Sequence, residues 1–151
     1  MGDRPKARAG EQLLAHAADG QLVLLPLDPD ASARRLRTAL RARAGVEVAV
    51  VISDTFGRPW RVGQTNVAIG ASGVRAVRSY VGAQDPAGHT LRTTGIAVID
   101  ELAAAAELAM GKLDRVPVAI IRGYAYPRPE PSAPDEGAAA LVRQAALDLF
   151  R

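Results

Sequence analysis

The sequence contains no cysteine, only two lysines, few aromatic residues and no long apolar run. Without cysteine, the chain forms neither the disulfide framework of a small secreted domain nor a cysteine-ligated zinc site. No stretch approaches the roughly 18 consecutive apolar residues that indicate a membrane span. The N-terminal residues up to Gly20 also lack the apolar centre of a signal peptide. We therefore expect a cytoplasmic protein that does not bind a membrane.

The remaining composition is that of an ordinary folded protein. The chain has 151 residues, of which 48% are hydrophobic and 23% are charged. A chain of this length can fold as one domain that buries about 70% of its unfolded surface. The formal net charge of +3 comes from arginines scattered among acidic residues. This is a weak argument for nucleic-acid binding, and we expect no nucleic-acid partner.

Hydrophobic periodicity predicts an α/β protein (α+β mixed), with a mixed sheet and flanking helices. Residues 1–20 are expected to be a loose lead-in to a domain over residues 21–151. Predicted strands cover residues 22–25, 46–52, 67–69 and 116–121, with shorter extended pieces at 74–77, 80–81 and 91–94. Predicted helices cover residues 31–44, 96–110 and 138–150, and a proline-rich strap over 124–136 precedes the last helix. The runs at 46–52 and 116–121 are nearly continuous, which is typical of strands buried on both faces.

The first predicted helix has clear boundary signals and a basic surface. Asp28 offers a carboxylate to the first backbone N–H groups, and Gly45 supplies a left-handed stop. A solvated helix face is the favoured interpretation of its arginines, and docking of an acidic partner is the alternative. These arginines are Arg34, Arg35, Arg37, Arg41 and Arg43.

The residues that follow the second predicted strand carry the most chemistry. Asp54 and Thr55 offer oxygen atoms of the kind that hold a hard divalent cation. Arg58 and Arg61 can hold phosphate or carboxylate groups through paired N–H donors. Together these residues indicate phosphoryl chemistry. In the alternative interpretation Asp54 caps a turn, the two arginines are solvated and Trp60 merely packs.

Other polar groups give weaker signals. Asp100, Glu101 and Glu107 are further carboxylates on a predicted helix. A structural role is favoured for them, since the helix dipole alone favours acids in the first turn. Gly70 and Gly73 are too close together for a phosphate-binding loop, and no lysine follows them.

The block from Ser53 to Arg61, followed by Gly63, Gln64 and the run 67–70, resembles the coenzyme F-420:L-glutamate ligase (F-420-0 gamma-glutamyl ligase) family. Further blocks match the family in the same order, so the resemblance covers roughly residues 20–151. These blocks lie at residues 24–30, 100–110, 116–123 and 148–151. The resemblance implies a gamma-glutamyl-ligase-like fold.

The resemblance also implies an activity. Members of the family use GTP to activate a carboxylate as an acyl phosphate and then add L-glutamate to a deazaflavin coenzyme precursor. Mg or Mn assists the reaction, a monovalent cation is a further candidate cofactor, and the proteins are homodimers. Carried over to this chain, the resemblance implies metal ligation by Asp54 and Thr55 and catalytic roles for Asp54, Arg58 and Arg61. It also implies a loop that borders the nucleotide and the metal, formed by Gly111, Lys112 and Leu113.

Two departures from the family pattern bear on the activity. Some members have glutamine where Lys112 stands, and a lysine there contacts phosphate rather than metal. The family also has an N-terminal lobe with an Asp-x-Ser-Asn block, which residues 1–20 do not contain. We therefore expect either a fragment of the enzyme or a shortened relative. The alternative function is a noncatalytic nucleotide- or deazaflavin-binding assembly module derived from the family.

Overall fold

A computed structural model describes residues 14–16 and 22–148 of the chain. Its strands are β1 (Leu14–His16), β2 (Leu22–Leu24), β3 (Val50–Arg58), β4 (Arg61–Ser72), β5 (Val77–Ser79) and β6 (Gly95–Ala97). Its helices are α1 (Pro29–Ala44) and α2 (Val98–Met110), followed by 3-10 helices at Ala138–Leu141 and Ala145–Leu147. This combination confirms the predicted α/β class. None of the helices in the described ranges is long and apolar enough to cross a membrane.

The strands of the described residues form three antiparallel pairs, β1 with β2, β3 with β4, and β5 with β6. This arrangement differs from the single mixed sheet that the continuous apolar runs suggested. The β3–β4 hairpin is the longest pair, and residues 59–60 form its turn. Pro59 fixes φ at the first turn position, and Trp60 has the positive φ of 59° that a type II turn needs at the second.

The second predicted strand, residues 46–52, is displaced along the chain. Strand β3 begins at Val50, while Val46 and Val48 are exposed. It continues through residues 53–58, which local composition assigned to a loop, because these residues pair with β4. The partner strand therefore decides where β3 ends, and a local pattern does not show that partner.

The predicted boundaries of the first helix are confirmed, although the helix starts two residues earlier than expected. The Asp28 side chain accepts a hydrogen bond from the Ala31 N–H at 2.7 Å. Gly45 has a φ of 66°, and its N–H donates to the Arg41 carbonyl. The first residue of the helix is Pro29. Proline lacks an N–H, and this costs nothing here because an N–H at the first helical position has no acceptor within the helix.

Both long helices pack on the β3–β4 hairpin. The core lies where the end of β4 and the residues that follow it meet α2. Ile99 is fully buried in this core. Asp30 connects α1 to two other parts of the fold, because its Oδ1 accepts from the N–H groups of Ala71 at 2.8 Å and Ala138 at 2.7 Å. The buried residues of the core cluster are Ala71, Val74, Ala76, Ile99 and Ala138.

The proline-rich segment 124–136 contains neither a helix nor a strand, and hydrogen bonds attach it to the end of β4 and the chain that follows. The Arg75 N–H donates to the Pro127 carbonyl at 2.8 Å. The Ser72 hydroxyl donates to Asp135 Oδ2 at 2.6 Å. These bonds hold both ends of the segment.

Arg78 makes a further attachment to the same segment. Its guanidinium donates to the Ala125 carbonyl at 2.7 Å and lies 5.6 Å from the ring centre of Tyr124. A hydrogen bond with the side chain of Tyr80 raises the pKa of Arg78 above its ordinary value.

The prediction of a buried strand over residues 116–121 is wrong. This segment carries no strand, and its side chains include Val118, which is 70% exposed, and Ile120, which is 75% exposed. Its composition is that of a buried strand. Within the described part of the chain, however, no strand pairs with its backbone, and all of its residues except Ala119 are exposed.

The C-terminal region also differs from the predicted helix over residues 138–150. Two 3-10 helices occupy residues 138–141 and 145–147, and residues 149–151 lie outside the described ranges. Val142 and Gln144 have extended ψ angles of 116° and 141°, so the α-helical repeat is broken between them. Asp30 binds the N–H groups at the start of this region.

Candidate functional site

The β3–β4 hairpin presents two different faces to the rest of the molecule. Thr55 pairs with Asn66 in the hairpin register, and the Ser53 hydroxyl lies 3.5 Å from Asn66 Nδ2. Because side chains alternate along a strand, Ser53 and Thr55 share one face and Asp54 lies on the other. The face with Ser53, Thr55 and Asn66 is the one that contacts Glu107 of α2.

Asn66 is the most buried polar side chain of this face, and sequence reasoning did not identify it. It is 6% exposed, and its Nδ2 donates to Glu107 Oε2 at 2.9 Å. Since a carboxylate only accepts, this contact fixes the orientation of the amide. Asn66 Oδ1 is then buried without a hydrogen-bond partner among the described residues. The contact joins residues 41 positions apart, so no local signal reveals it.

Hydrogen bonds give the acids of α2 structural roles. Asp100 Oδ1 accepts from the Ala68 N–H at 2.9 Å, and Glu107 holds Asn66. Glu101 is exposed. The contacts of Asp100 and Glu107 favour the structural interpretation of these carboxylates, because each fastens α2 to β4.

The structure brings together two of the residues that the sequence singled out. Lys112 Nζ lies 3.4 Å from Thr55 Oγ1. The approach is possible because Gly111 ends α2 with a φ of 61°, which turns the following residues toward β3. Leu113, the third residue of this loop, is 87% exposed. The loop 111–113 and Thr55 therefore form one site, with a cation beside a hydroxyl.

Asp54 lies away from that site. Its side chain is half-buried, and Oδ1 accepts from the N–H of Thr55 at 2.7 Å. By strand alternation the Asp54 and Thr55 side chains project from opposite faces of β3. In the part of the chain that the structure describes, no point gathers three acidic, histidine or cysteine side chains.

The tip of the hairpin carries a pair of like charges. Arg58 and Arg61 are directly opposite each other in the β3–β4 register, an arrangement that is unfavourable unless an anion lies between the charges. Arg58 Nε is buried without a hydrogen-bond partner among the described residues. Trp60, at the turn, is 86% exposed and does not pack into the core. The tip has the donors that an anionic ligand requires.

The tip and the Thr55–Lys112 contact lie along the same strand. Arg58 is three residues beyond Thr55, which corresponds to about 10 Å along an extended chain. Regular alternation would place Arg58 on the face opposite Thr55, but the register shift between Gly57 and Arg58 interrupts that alternation. The site residues named from the sequence thus fall into three places: the tip, the Thr55–Lys112 contact and the opposite face with Asp54.

Comparison with known proteins identifies the family. Residues 11–123 match the family model described as F420-0:Gamma-glutamyl ligase. The chain is 46% identical over 134 residues to the coenzyme F420:L-glutamate ligase of Methanothermobacter thermautotrophicus, and the match covers 88% of this chain and 52% of that relative. It is 45% identical over 138 residues to the ligase of the same name from Methanopyrus kandleri, with coverage of 91% and 54%.

The chain spans about half the length of the curated relatives that it matches. The family model nevertheless covers most of the chain, and it includes the hairpin, α2 and the loop that follows α2. These matches confirm the resemblance carried by the block from Ser53 to Arg61. The chain belongs to the F420-0:gamma-glutamyl ligase family.

Proposed function

We propose that this chain takes part in the GTP- and divalent-metal-dependent addition of L-glutamate to the deazaflavin precursor of coenzyme F420. Family membership supports the reaction class, and the relatives carry the name of a coenzyme F420:L-glutamate ligase. The structural observation that carries the proposal is the position of Lys112 beside Thr55, 3.4 Å apart, on the strand that leads to the arginine pair.

The proposed chemistry has two steps. The γ-phosphoryl group of GTP passes to a carboxylate oxygen of the deazaflavin precursor, and GDP leaves. The amine of L-glutamate then attacks the acyl carbon, so that a C–N bond forms, the C–O bond to phosphate breaks and inorganic phosphate leaves. Each step concentrates negative charge on phosphate oxygens, which donors and cations fixed in advance stabilise.

Residues of the hairpin and of the loop after α2 have proposed parts in this reaction. Arg58 and Arg61 hold anionic groups of the substrates through their guanidinium N–H donors. Lys112 places a point charge against phosphate oxygens beside Thr55. A bound Mg or Mn ion would supply further neutralisation of phosphate charge. We propose Asp54 and Thr55 as metal ligands of this chain, with further ligands coming from outside the described residues.

The chain spans about half of its relatives, and this limits what it does alone. We propose that the rest of the GTP pocket is supplied by a polypeptide equivalent to the remaining part of the relatives. We also propose that the working assembly is a homodimer of the complete unit.

Substitution at the hairpin tip tests the proposal. The double variant Arg58→Gln/Arg61→Gln should lower kcat/KM for the ligation at least about a hundredfold, because each lost charge-assisted hydrogen bond costs about 1.5–3 kcal/mol. The matched control is Arg34→Gln/Arg35→Gln, which removes two exposed arginines from α1. Ligation by the complete assembly is measured as glutamylated product. Equal rates for the tip variant and the control would contradict the role of the tip.

One observation favours a second function, a noncatalytic nucleotide- or deazaflavin-binding module. The arginine pair at the tip can bind an anion without a metal ion. Equilibrium titration with GTP and with the deazaflavin precursor, followed by product analysis, separates the two functions. Binding without product, in the presence of the complementary polypeptide and Mn, would favour the module.

A further inference from the structure

The segment of residues 116–121, which we call the open segment, exposes an apolar surface beyond the end of α2. Val118 and Ile120 are the most exposed of its side chains, at 70% and 75%, while Ala119 between them is partly covered. Every residue of the segment except Ala119 is exposed, so neither face of the segment is fully covered. Two leucines that precede the segment in the chain are also highly exposed, Leu108 at 90% and Leu113 at 87%.

The backbone of the open segment is also unpaired. Residues 116–121 belong to none of the three strand pairs, and no backbone hydrogen bond within the described ranges involves them. Backbone N–H and C=O groups that end up buried in native proteins are nearly always paired. A β-branched segment with free backbone groups is a template for the addition of another strand.

The core of the described fold is small compared with the apolar surface left open. Its buried apolar residues are mostly alanines, and Ile99, Val74 and Val98 are its largest fully buried apolar side chains. Exposed apolar surface of this extent indicates an interaction site. Relatives at 45–46% identity share this half of the fold and carry about as much chain again. That additional chain is the occupant the observations favour.

We propose that the open segment is the docking strand for a polypeptide equivalent to the part of the relatives that this chain does not span. The partner adds an extended strand to residues 116–121, pairs with their backbone and covers Val118 and Ile120 with apolar side chains. Strand addition uses backbone bonds for affinity and alternate side chains for specificity. The flanking Arg115 and Arg122 favour a partner strand with acidic residues at its ends.

Association of two polypeptides tests this inference. The portion of the Methanothermobacter thermautotrophicus ligase outside the matched region is expressed as a separate chain and mixed with this one. Light scattering after size exclusion should show a 1:1 complex. Backbone amides of residues 118–121 should exchange with solvent at least tenfold more slowly in the complex than in the chain alone.

Three variants separate strand addition from general adhesion. Val118→Lys/Ile120→Lys should weaken the complex at least tenfold. Ala119→Pro removes one backbone N–H and should weaken binding by strand pairing. Binding through apolar side chains alone should not change in this variant. Val142→Lys, which changes an apolar residue that is 77% exposed elsewhere, is the matched control and should leave the affinity unchanged.

Several outcomes would overturn the inference. Absence of a complex, a complex indifferent to the 118/120 substitutions, or a homodimer that protects residues 118–121 would each do so. The measurement uses neither GTP nor L-glutamate, so it is independent of the proposed ligase function. A complex that forms no glutamylated product would support the docking strand and contradict the catalytic proposal. Glutamylated product from the chain alone, without a complex, would support the catalytic proposal and contradict the docking strand.

Discussion

Gly70 is the residue at which α1 comes closest to β4. A Cβ atom at this position would overlap the backbone oxygen and carbon of Pro29. Backbone atoms at a helix start cannot move aside as the end of a flexible side chain can. The absence of a side chain at Gly70 is therefore what allows α1 to rest against the hairpin.

Gly70→Ala should lower the free energy of unfolding by about 1–3 kcal/mol, the usual cost of overpacking. The measurement is the midpoint of urea unfolding followed by circular dichroism. Gly57→Ala is the matched control, since a Cβ on Gly57 meets nothing within 4 Å and that strand position has no positive φ. Equal midpoints for the two variants would show that α1 does not sit this close to β4.

The Asn66–Glu107 contact leads to a second prediction, which depends on pH. Asn66→Asp replaces the donor at 2.9 Å from Glu107 by a second carboxylate, and should cost about 1–3 kcal/mol of stability. The like charge raises the pKa of the new carboxyl in the folded state. The destabilisation is therefore fully present above that raised pKa and is lost as the pH falls toward about 3.9, the ordinary value.

Urea midpoints at about pH 8 and about pH 5 measure this dependence, with wild-type protein at both values as reference. The double variant Asn66→Asp/Glu107→Gln restores a donor and an acceptor with reversed direction and should recover most of the loss. A pH-independent effect, or no recovery in the double variant, would argue against the contact.

Among single residues, sequence reasoning succeeded where the signal is local. Asp28 and Gly45 were identified as the ends of α1 because a cap and its partner lie within four residues. Asn66 was missed because its partner Glu107 is 41 residues away. The proximity of Lys112 to Thr55 followed only from the resemblance to the ligase family, since nothing local relates two residues so far apart.

At the scale of elements, Asp30 joins three of them. Its carboxylate accepts from Ala71 on β4 and from Ala138 and Ala139 at the first 3-10 helix. Asp30→Asn replaces one acceptor oxygen by a donor, so at least one of these N–H groups loses its partner. We expect a loss of about 1.5–3 kcal/mol, the value of a hydrogen bond to a charged group.

Asp28→Asn is the control for this change, because asparagine caps a helix about as well as aspartate and the cap contact is made by one oxygen. Thermal unfolding gives the stability of both variants. Hydrogen exchange of the Ala138 and Ala139 amides should accelerate in Asp30→Asn alone. Unchanged exchange there would contradict the tie between α1 and the C-terminal region.

The elements show which parts of a fold the sequence can predict. Helices α1 and α2 were predicted to within two residues, because their periodicity and end signals are properties of the segment itself. The strand predicted at 46–52 was shifted and the one at 116–121 was wrong. A strand is defined by its partner, and for residues 116–121 the described chain offers none. The continuous C-terminal helix failed because Val142 interrupts it.

At the scale of the whole molecule, the open segment predicts that the chain is stabilised by its partner. A partner that binds only the folded state at a free concentration of 100 times its Kd adds about 2.7 kcal/mol to the free energy of unfolding. The Tm of the chain should therefore rise with partner concentration. In Val118→Lys/Ile120→Lys, whose exposed positions leave the core untouched, the same titration should move the Tm less, because a tenfold weaker complex adds only about 1.4 kcal/mol. Equal shifts in both proteins would place the stabilising contact elsewhere.

We propose that this chain contributes the hairpin site of a glutamate ligase. A single reaction tests this proposal: it contains the chain, the complementary polypeptide, GTP, Mn and L-glutamate, and both glutamylated deazaflavin and GDP are quantified. We expect one GDP for each glutamate added, and loss of both products with Arg58→Gln/Arg61→Gln. Glutamylated product without GDP, or GDP with no glutamylated product, would contradict it.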